Sequence, residues 1–252
     1  MNYNRKTEKQ KNSIMPKTKE VKTVEVEVEV DETEATELAT VDTGVSISDS
    51  PRWEEAAQDI LIGRYNIRGK SSGYDAGEFG DIVLKQESVV VKDGHPAEAI
   101  VVSALQMWRE KTDYGSGQRG RIAKTREEML ELVEENRALG DRGLKVIPFA
   151  DLTILIKQSE GCDEEGFEVP IGEDRWALGK LDVSGKGYEH TYLALKFFEK
   201  VNPGVSLVKQ TWELVSKQQQ WDQKIWWIPT LKPSKEETSQ EVIDWVENFK
   251  KG

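Results

Sequence analysis

Between residues 81 and 108 the apolar positions fall into two dense runs, "DIVLKQESVVV" (81–91) and "AEAIVVSALQMW" (97–108), separated by "KDGHP". Both are rich in β-branched residues and read as strands, and Asp93-Gly94 supplies the positive-φ chemistry of a turn, so a long curved hairpin is expected. The pattern then changes period. "TREEMLELVEENRALG" places Met129, Leu132 and Val133 on one face behind a Thr125/Glu128 capping box, with Gly140 as the stop, and predicts a helix. "FADLTILIK" (149–157) and "EDRWALGKLDV" (173–183) read as two further strands across an acidic, glycine-containing loop.

"GYEHTYLALKFFEKV" sets Tyr188, Tyr192, Leu195 and Phe198 at helical spacing before "NPG", although "YLALKFF" also fits a strand. "VSLVKQTWELVS" and "QKIWWIPTL" predict a second hairpin around "KQQQWD". "SQEVIDWVENF" closes the pattern as an amphipathic helix with Val242, Trp245, Val246 and Phe249 inward. About six strands with helices inserted, and no regular strand-helix alternation, give a mainly β, α+β fold. The expected architecture is an OB-like antiparallel barrel with long hairpins and a C-terminal helix.

Charge changes the picture at the N-terminal side. Met1 to Lys22 holds seven Lys and Arg against Glu8 and Glu20, whereas Thr23 to Ser50 holds nine acids and no base. Residues 1–50 therefore read as a disordered charged arm, within which "VEVEVEV" alternates at the period of a strand, and residues 51–252 as the folded domain. About 200 residues can bury about 70% of the unfolded surface, enough for a core. With one cysteine, Cys162, and two distant histidines, His95 and His190, neither an internal disulfide nor zinc-ligand spacing is present. No run of apolar residues long enough to span a membrane occurs, and the expected compartment is the cytoplasm.

Enzyme motifs fail on their spacing. "GSGQRG" (115–120) matches G-x-G-x-x-G but is set off from the preceding strand by "REKTDY", which is wrong for a dinucleotide turn. "GRYNIRGKS" (63–71) resembles a phosphate-binding loop with one residue too many before its lysine. Neither histidine adjoins a nucleophile motif, and the carboxylates lie mostly in runs typical of solvated faces. The expectation is a protein without catalytic residues, metal or cofactor.

What remains is a local excess of cations among rings in a chain of formal net charge -11. "RYNIRGKSSGY" supplies Arg64, Arg68 and Lys70 with Tyr65 and Tyr74, and residues 108–126 supply Arg109, Lys111, Arg119, Arg121 and Lys124 with Trp108 and Tyr114. Such a mixture suits single-stranded nucleic acid, where cations follow phosphates and rings stack on bases at about 1–3 kcal/mol each. The same composition also suits two ordinary solvated loops. Adjacent Trp226 and Trp227 must face opposite sides of a strand, so one of them is a candidate base platform, a role assigned to Trp226. Trp176, Trp212 and Trp245 lie on apolar faces and belong to the core.

Taken in order, "AGEFGDIV", "VVSALQMWRE", "FADLTILI", "RWALGKLDVSGKGY" and "WELVSKQQQWDQKIWWIPTLKPS" resemble the succession in phage-encoded OB-fold single-stranded-DNA-binding proteins, over about residues 57–249. The resemblance implies a protein that coats exposed single strands in phage DNA replication or recombination, in the host cytoplasm. Such proteins end in an acidic, aromatic-tipped tail that recruits partners, whereas this sequence ends "WVENFKKG". Contacts with replication or recombination proteins are therefore expected through the acidic segment 23–50. Two other readings stand beside this one: a virion structural or assembly protein, and a metal-dependent nuclease using the acidic loop at 160–168.

Overall fold

The computed structural model describes residues 62–70, 72–73, 75–112 and 120–251. The charged arm and its "VEVEVEV" stretch lie outside these residues. The described part is mainly β, with one curled sheet and a few helices. Its strands are β1 (Gly63–Ile67), β2 (Ile82–Leu84), β3 (Ser88–Val91), β4 (Ala97–Glu110), β5 (Ile122–Ala123), β6 (Val146–Lys157), β7 (Val169–Ile171), β8 (Asp174–Ser184), β9 (Gln210–Trp221) and β10 (Lys224–Glu237). The helices are α1 (Arg126–Ala138), α2 (Lys186–His190), α3 (Tyr192–Val201) and α4 (Gln240–Phe249). Strand order is β10-β9-β4-β6-β8-β1-β2-β3, with β5 beside β4 and β7 beside β8.

Alternation along the central strands explains the two packed faces. Ala150, Leu152, Ile154 and Ile156 of β6 join Ala99, Val101, Leu181, Val183 and Trp212 in one buried cluster, roofed by Tyr188, Tyr192 and Leu195 of α2 and α3. On the other face Ile100, Val102, Leu155 and Trp176 pack under Val242, Ile243 and Val246 of α4. A register shift between Val101 and Ser103 keeps β4 in step with both clusters, so that Val102 still points at α4 and Ala104 returns to the first cluster. Trp245 and Phe249 of α4 are half-buried and stack on each other at 5.1 Å.

Two expectations about pairing are corrected. Residues 81–91 are a hairpin in themselves, β2 with β3, because Lys85 and Gln86 both take positive φ (54° and 67°) and turn the chain tightly. β3 and β4 therefore do not pair across "KDGHP", although Gly94 does turn there at φ 73°. The second hairpin does form, but its turn is Asp222-Gln223, so the strands continue through the glutamines to Trp221. One pairing is parallel, β1 with β8, within an otherwise antiparallel sheet.

Helix α1 carries the expected capping box. Its buried side is Leu132 and Asn136, and Val133 is exposed. The helical reading of 188–201 holds in two pieces, α2 and α3, divided at Thr191, whose hydroxyl donates to Gly187 O at 2.7 Å. Among the described residues no helix is long and apolar enough to cross a membrane.

Candidate nucleic-acid interface

β1 and β8 run parallel with Arg64 beside Lys180 and Tyr65 beside Leu181, which brings the "RYNI" segment against the C-terminal half of β8. Antiparallel β6 and then β4 follow, so Arg109 near the end of β4 reaches across β6 to Asp182 Oδ2 (3.0 Å) and Ser184 Oγ (3.0 Å) of β8. The curl of the sheet then carries β10 round to the same place. Arg64 to Ile67 of β1, Leu181 to Gly187, and Trp226 to Pro229 of β10 enclose a groove of about 550 Å³.

The groove has cationic, aromatic and hydrogen-bonding walls. Arg64 and Lys186 are exposed, and the Lys186 ammonium rests on Glu189 Oε2 at 2.7 Å. An exposed pair of this i,i+3 type is worth only about 0.3–0.5 kcal/mol, so an incoming anion competes with it easily. Asp182 puts a negative charge in the wall, and the Arg109 guanidinium offsets it. Asp151, directly opposite Asp182 in the β6–β8 register, is pushed above the usual carboxylate range by burial, against the pull of Lys180 and Arg64. Both Trp226 and Trp227 line the groove: Trp226 is 36% exposed, and Trp227, half-buried, meets Phe79 at 6.2 Å between ring centres.

Several expected contacts are occupied by the fold itself. Tyr65 is corrected: it is 3% exposed, its ring lies against Gly179, and its hydroxyl donates to Ala177 O at 2.8 Å and Ile154 O at 3.3 Å. It is a core residue at the floor of the groove, with its ring turned into the packing rather than stacked for a base. Arg121 is corrected as well. Its guanidinium and backbone N–H close on Glu110, and it also meets Glu135, so it ties the end of β4 to the start of β5 and to α1. Arg109, held by Asp182 and Ser184, also covers the ring of Phe149 at 4.7 Å. Arg68 donates to Asp75 O at 2.6 Å and to Gly77 O, and lies over Phe79, shaping its own loop.

Of the other expected residues, Lys70 and Lys111 are exposed, and Trp108 is half-buried on β4 opposite Pro148 and Ala123. Lys124 is exposed at the start of α1, where its backbone N–H donates to Glu128 Oε2 at 2.6 Å. Tyr74, Tyr114 and Arg119 lie outside the described residues. Arg64 and Arg109 do reach a common region of the sheet, and Trp226 joins Arg64 at the groove. Sequence reasoning missed Lys186 and Trp221. Lys186 follows Gly185, which sits at φ 55° and starts α2, a turn that "SGKG" could have suggested.

The close approach of residue 120 to the Glu110 backbone explains one more glycine. A Cβ on Gly120 would lie 2.2 Å from Glu110 O, so only glycine lets the returning chain pass that close. "GRYNIRGKS" is not a phosphate-wrapping loop, because its first half is strand β1. Comparison with known proteins finds no matching family model, no matching curated protein and no matching solved structure.

Proposed function

We propose that this protein binds single-stranded DNA without strong sequence preference and without catalysis, on an OB-like curled sheet. The observation that carries the reading is that Arg64 and Trp226, from opposite ends of the folded sequence, line one groove with Lys186. Arg64 and Lys186 meet phosphates, Trp226 stacks on a base, and Asn66 and Ser184 offer hydrogen bonds to sugar or base edges. The globally acidic remainder disfavours nonspecific binding elsewhere on the molecule. A role in phage DNA replication or recombination, with partners on segment 23–50, goes with this reading.

The test is a tryptophan-fluorescence titration with poly-dT at two salt concentrations, on the full chain and on Arg64→Ala/Lys186→Ala. Binding that dims the indoles is expected, with the variant weaker and its salt slope reduced by about 0.7 per phosphate contact removed. Undimmed fluorescence with no binding, or unchanged affinity and slope in the variant, overturns the reading.

A structural-assembly role draws on a different surface. Leu193, Phe197 and Val201 recur every four residues on α3 and are 46%, 69% and 58% exposed, a self-complementary stripe that an antiparallel second copy would cover. Sedimentation of the protein without nucleic acid decides it, since a structural subunit assembles alone and a monomer at high concentration excludes that role.

A further inference from the structure

From the groove the β9–β10 hairpin continues to its turn at Asp222-Gln223, and its register fixes which side chains share a face. Trp226 stands opposite Gln219, and Lys224 opposite Trp221. Residues two apart on a strand share a face, as do directly opposed residues. Lys217, Gln219, Trp221, Lys224, Trp226 and Ile228 therefore form one side of the hairpin. Trp221 is 77% exposed, the largest exposure among the large hydrophobic side chains described, with exposed Lys224 directly opposite it and exposed Lys217 farther along the same face. Burial in the core does not account for this indole, and its neighbours on that face are the Lys224 ammonium, the Gln219 amide and the Trp226 ring.

We infer that Trp221 and Trp226 form a two-base stacking site, continuous with the groove, for consecutive nucleotides of an unpaired strand. The inference rests on the single-stranded-DNA reading above and adds the tip of the hairpin to it. Trp221 and Trp226 are diagonal neighbours across the strand pair, a relation that sets them about 7–8 Å apart. That spacing suits two successive bases of an extended strand, each on its own ring, and a duplex presents no free base faces to such a pair. Lys224, between the two indoles, and Lys217, beside Trp226 toward the sheet, meet the phosphates. Gln219, opposite Trp226, offers an amide to a base edge. The positive charges argue for a polyanion over an apolar protein partner, which would gain nothing from Lys224 between the two indoles and Lys217 beyond Trp226.

The experiment uses the full chain with Trp221→Ala, Trp221→Phe and Trp226→Ala, titrated with oligo-dT and with a hairpin duplex of matched charge. Trp221→Ala is expected to lose about 5- to 150-fold in affinity for oligo-dT, the range for one stacked base, while Trp221→Phe keeps most of it. Quenching amplitude falls in Trp221→Ala, and the thermal midpoint stays unchanged because the side chain lies outside the core. If Trp221→Ala binds oligo-dT like the unaltered protein while Trp226→Ala and Arg64→Ala weaken, the two-base site is overturned and the groove reading stands. If the unaltered protein shows no preference for oligo-dT over the duplex, the two-base site falls as well. A Trp221→Ala variant that loses self-association in sedimentation but not oligonucleotide affinity assigns the hairpin to a protein contact and overturns the inference.

Discussion

The Glu110 carboxylate accepts three hydrogen bonds from Arg121, from its backbone N–H at 2.9 Å, Nε at 3.0 Å and Nη2 at 2.7 Å, and a fourth from Asn136 Nδ2 at 2.7 Å. Donation on this scale holds the Glu110 carboxyl down at about 2, against the ordinary 4.5. A carboxyl depressed by folding stabilises the fold above its unfolded value, and that contribution disappears as pH falls from about 4.5 to about 2. Glu110→Ala, which leaves the Arg121 N–H without its acceptor and Asn136 Nδ2 with only Leu132 O, should cost about 1–3 kcal/mol at neutral pH. Urea unfolding across that pH range should show a smaller acid loss in the variant than in the unaltered protein.

Asp151 moves the other way. Burial raises its carboxyl, and its Oδ1 is buried without a hydrogen-bond partner among the described residues. The folded state thus binds this proton more tightly than the unfolded chain, so the group's effect on stability worsens as pH rises through its titration. Asp151→Asn should leave stability unchanged or raise it at neutral pH, by up to about 1 kcal/mol. It should also tighten oligo-dT binding a few-fold, since a negative charge near Arg64 is removed. Urea midpoints and the fluorescence titration check the two effects separately.

The long strands β4, β6, β8, β9 and β10, the capping box of α1 and the apolar face of α4 were legible in the sequence because period and cap chemistry are local, whereas the short strands β1, β5 and β7 were not. Pairing was not. Lys85-Gln86 makes a tight turn with no glycine or asparagine to announce it, so one apparent strand hid a hairpin and displaced the partner assigned to β4. The site was half legible for a related reason. Cations and rings are visible in a sequence, but their partners are not: Arg121 and Arg109 found carboxylates on distant elements, and Tyr65 found backbone carbonyls of β6 and β8. Trp226 was reachable from strand alternation, whereas pairing it with Trp221 required the register set by the Asp222 turn.

The difference between Arg109 and Arg64 can be measured. Arg109 and Asp182 are about one-third exposed and pair at 3.0 Å, a situation in which coupling is about 0.2–1 kcal/mol. A double-mutant cycle with Arg109→Ala and Asp182→Ala should return that coupling in unfolding measurements. The single Arg109→Ala change also uncovers Phe149, and it should lower stability more than it lowers oligo-dT affinity. Arg64→Ala should do the reverse. A larger affinity loss from Arg109→Ala than from Arg64→Ala would return Arg109 to the interface and sink this assignment.

Tyr65 separates packing from binding most cleanly. Its ring is accommodated because residue 179 is glycine: a Cβ there would sit 2.6 Å from two ring carbons, and both residues are fixed by the parallel β1–β8 register. Gly179→Ala therefore forces the ring or the strand to move, at about 1–3 kcal/mol. Tyr65→Phe keeps the ring and deletes a hydroxyl that serves two carbonyls, at about 0.5–1.5 kcal/mol. Because the groove side chains Arg64, Lys186 and Trp226 are untouched by the loss of one buried oxygen, Tyr65→Phe should bind oligo-dT with unchanged affinity and salt slope. Paired urea and fluorescence titrations on this variant would detect the contrary result, a loss of affinity without a loss of stability, which would mean that Tyr65 leaves the core to meet the strand.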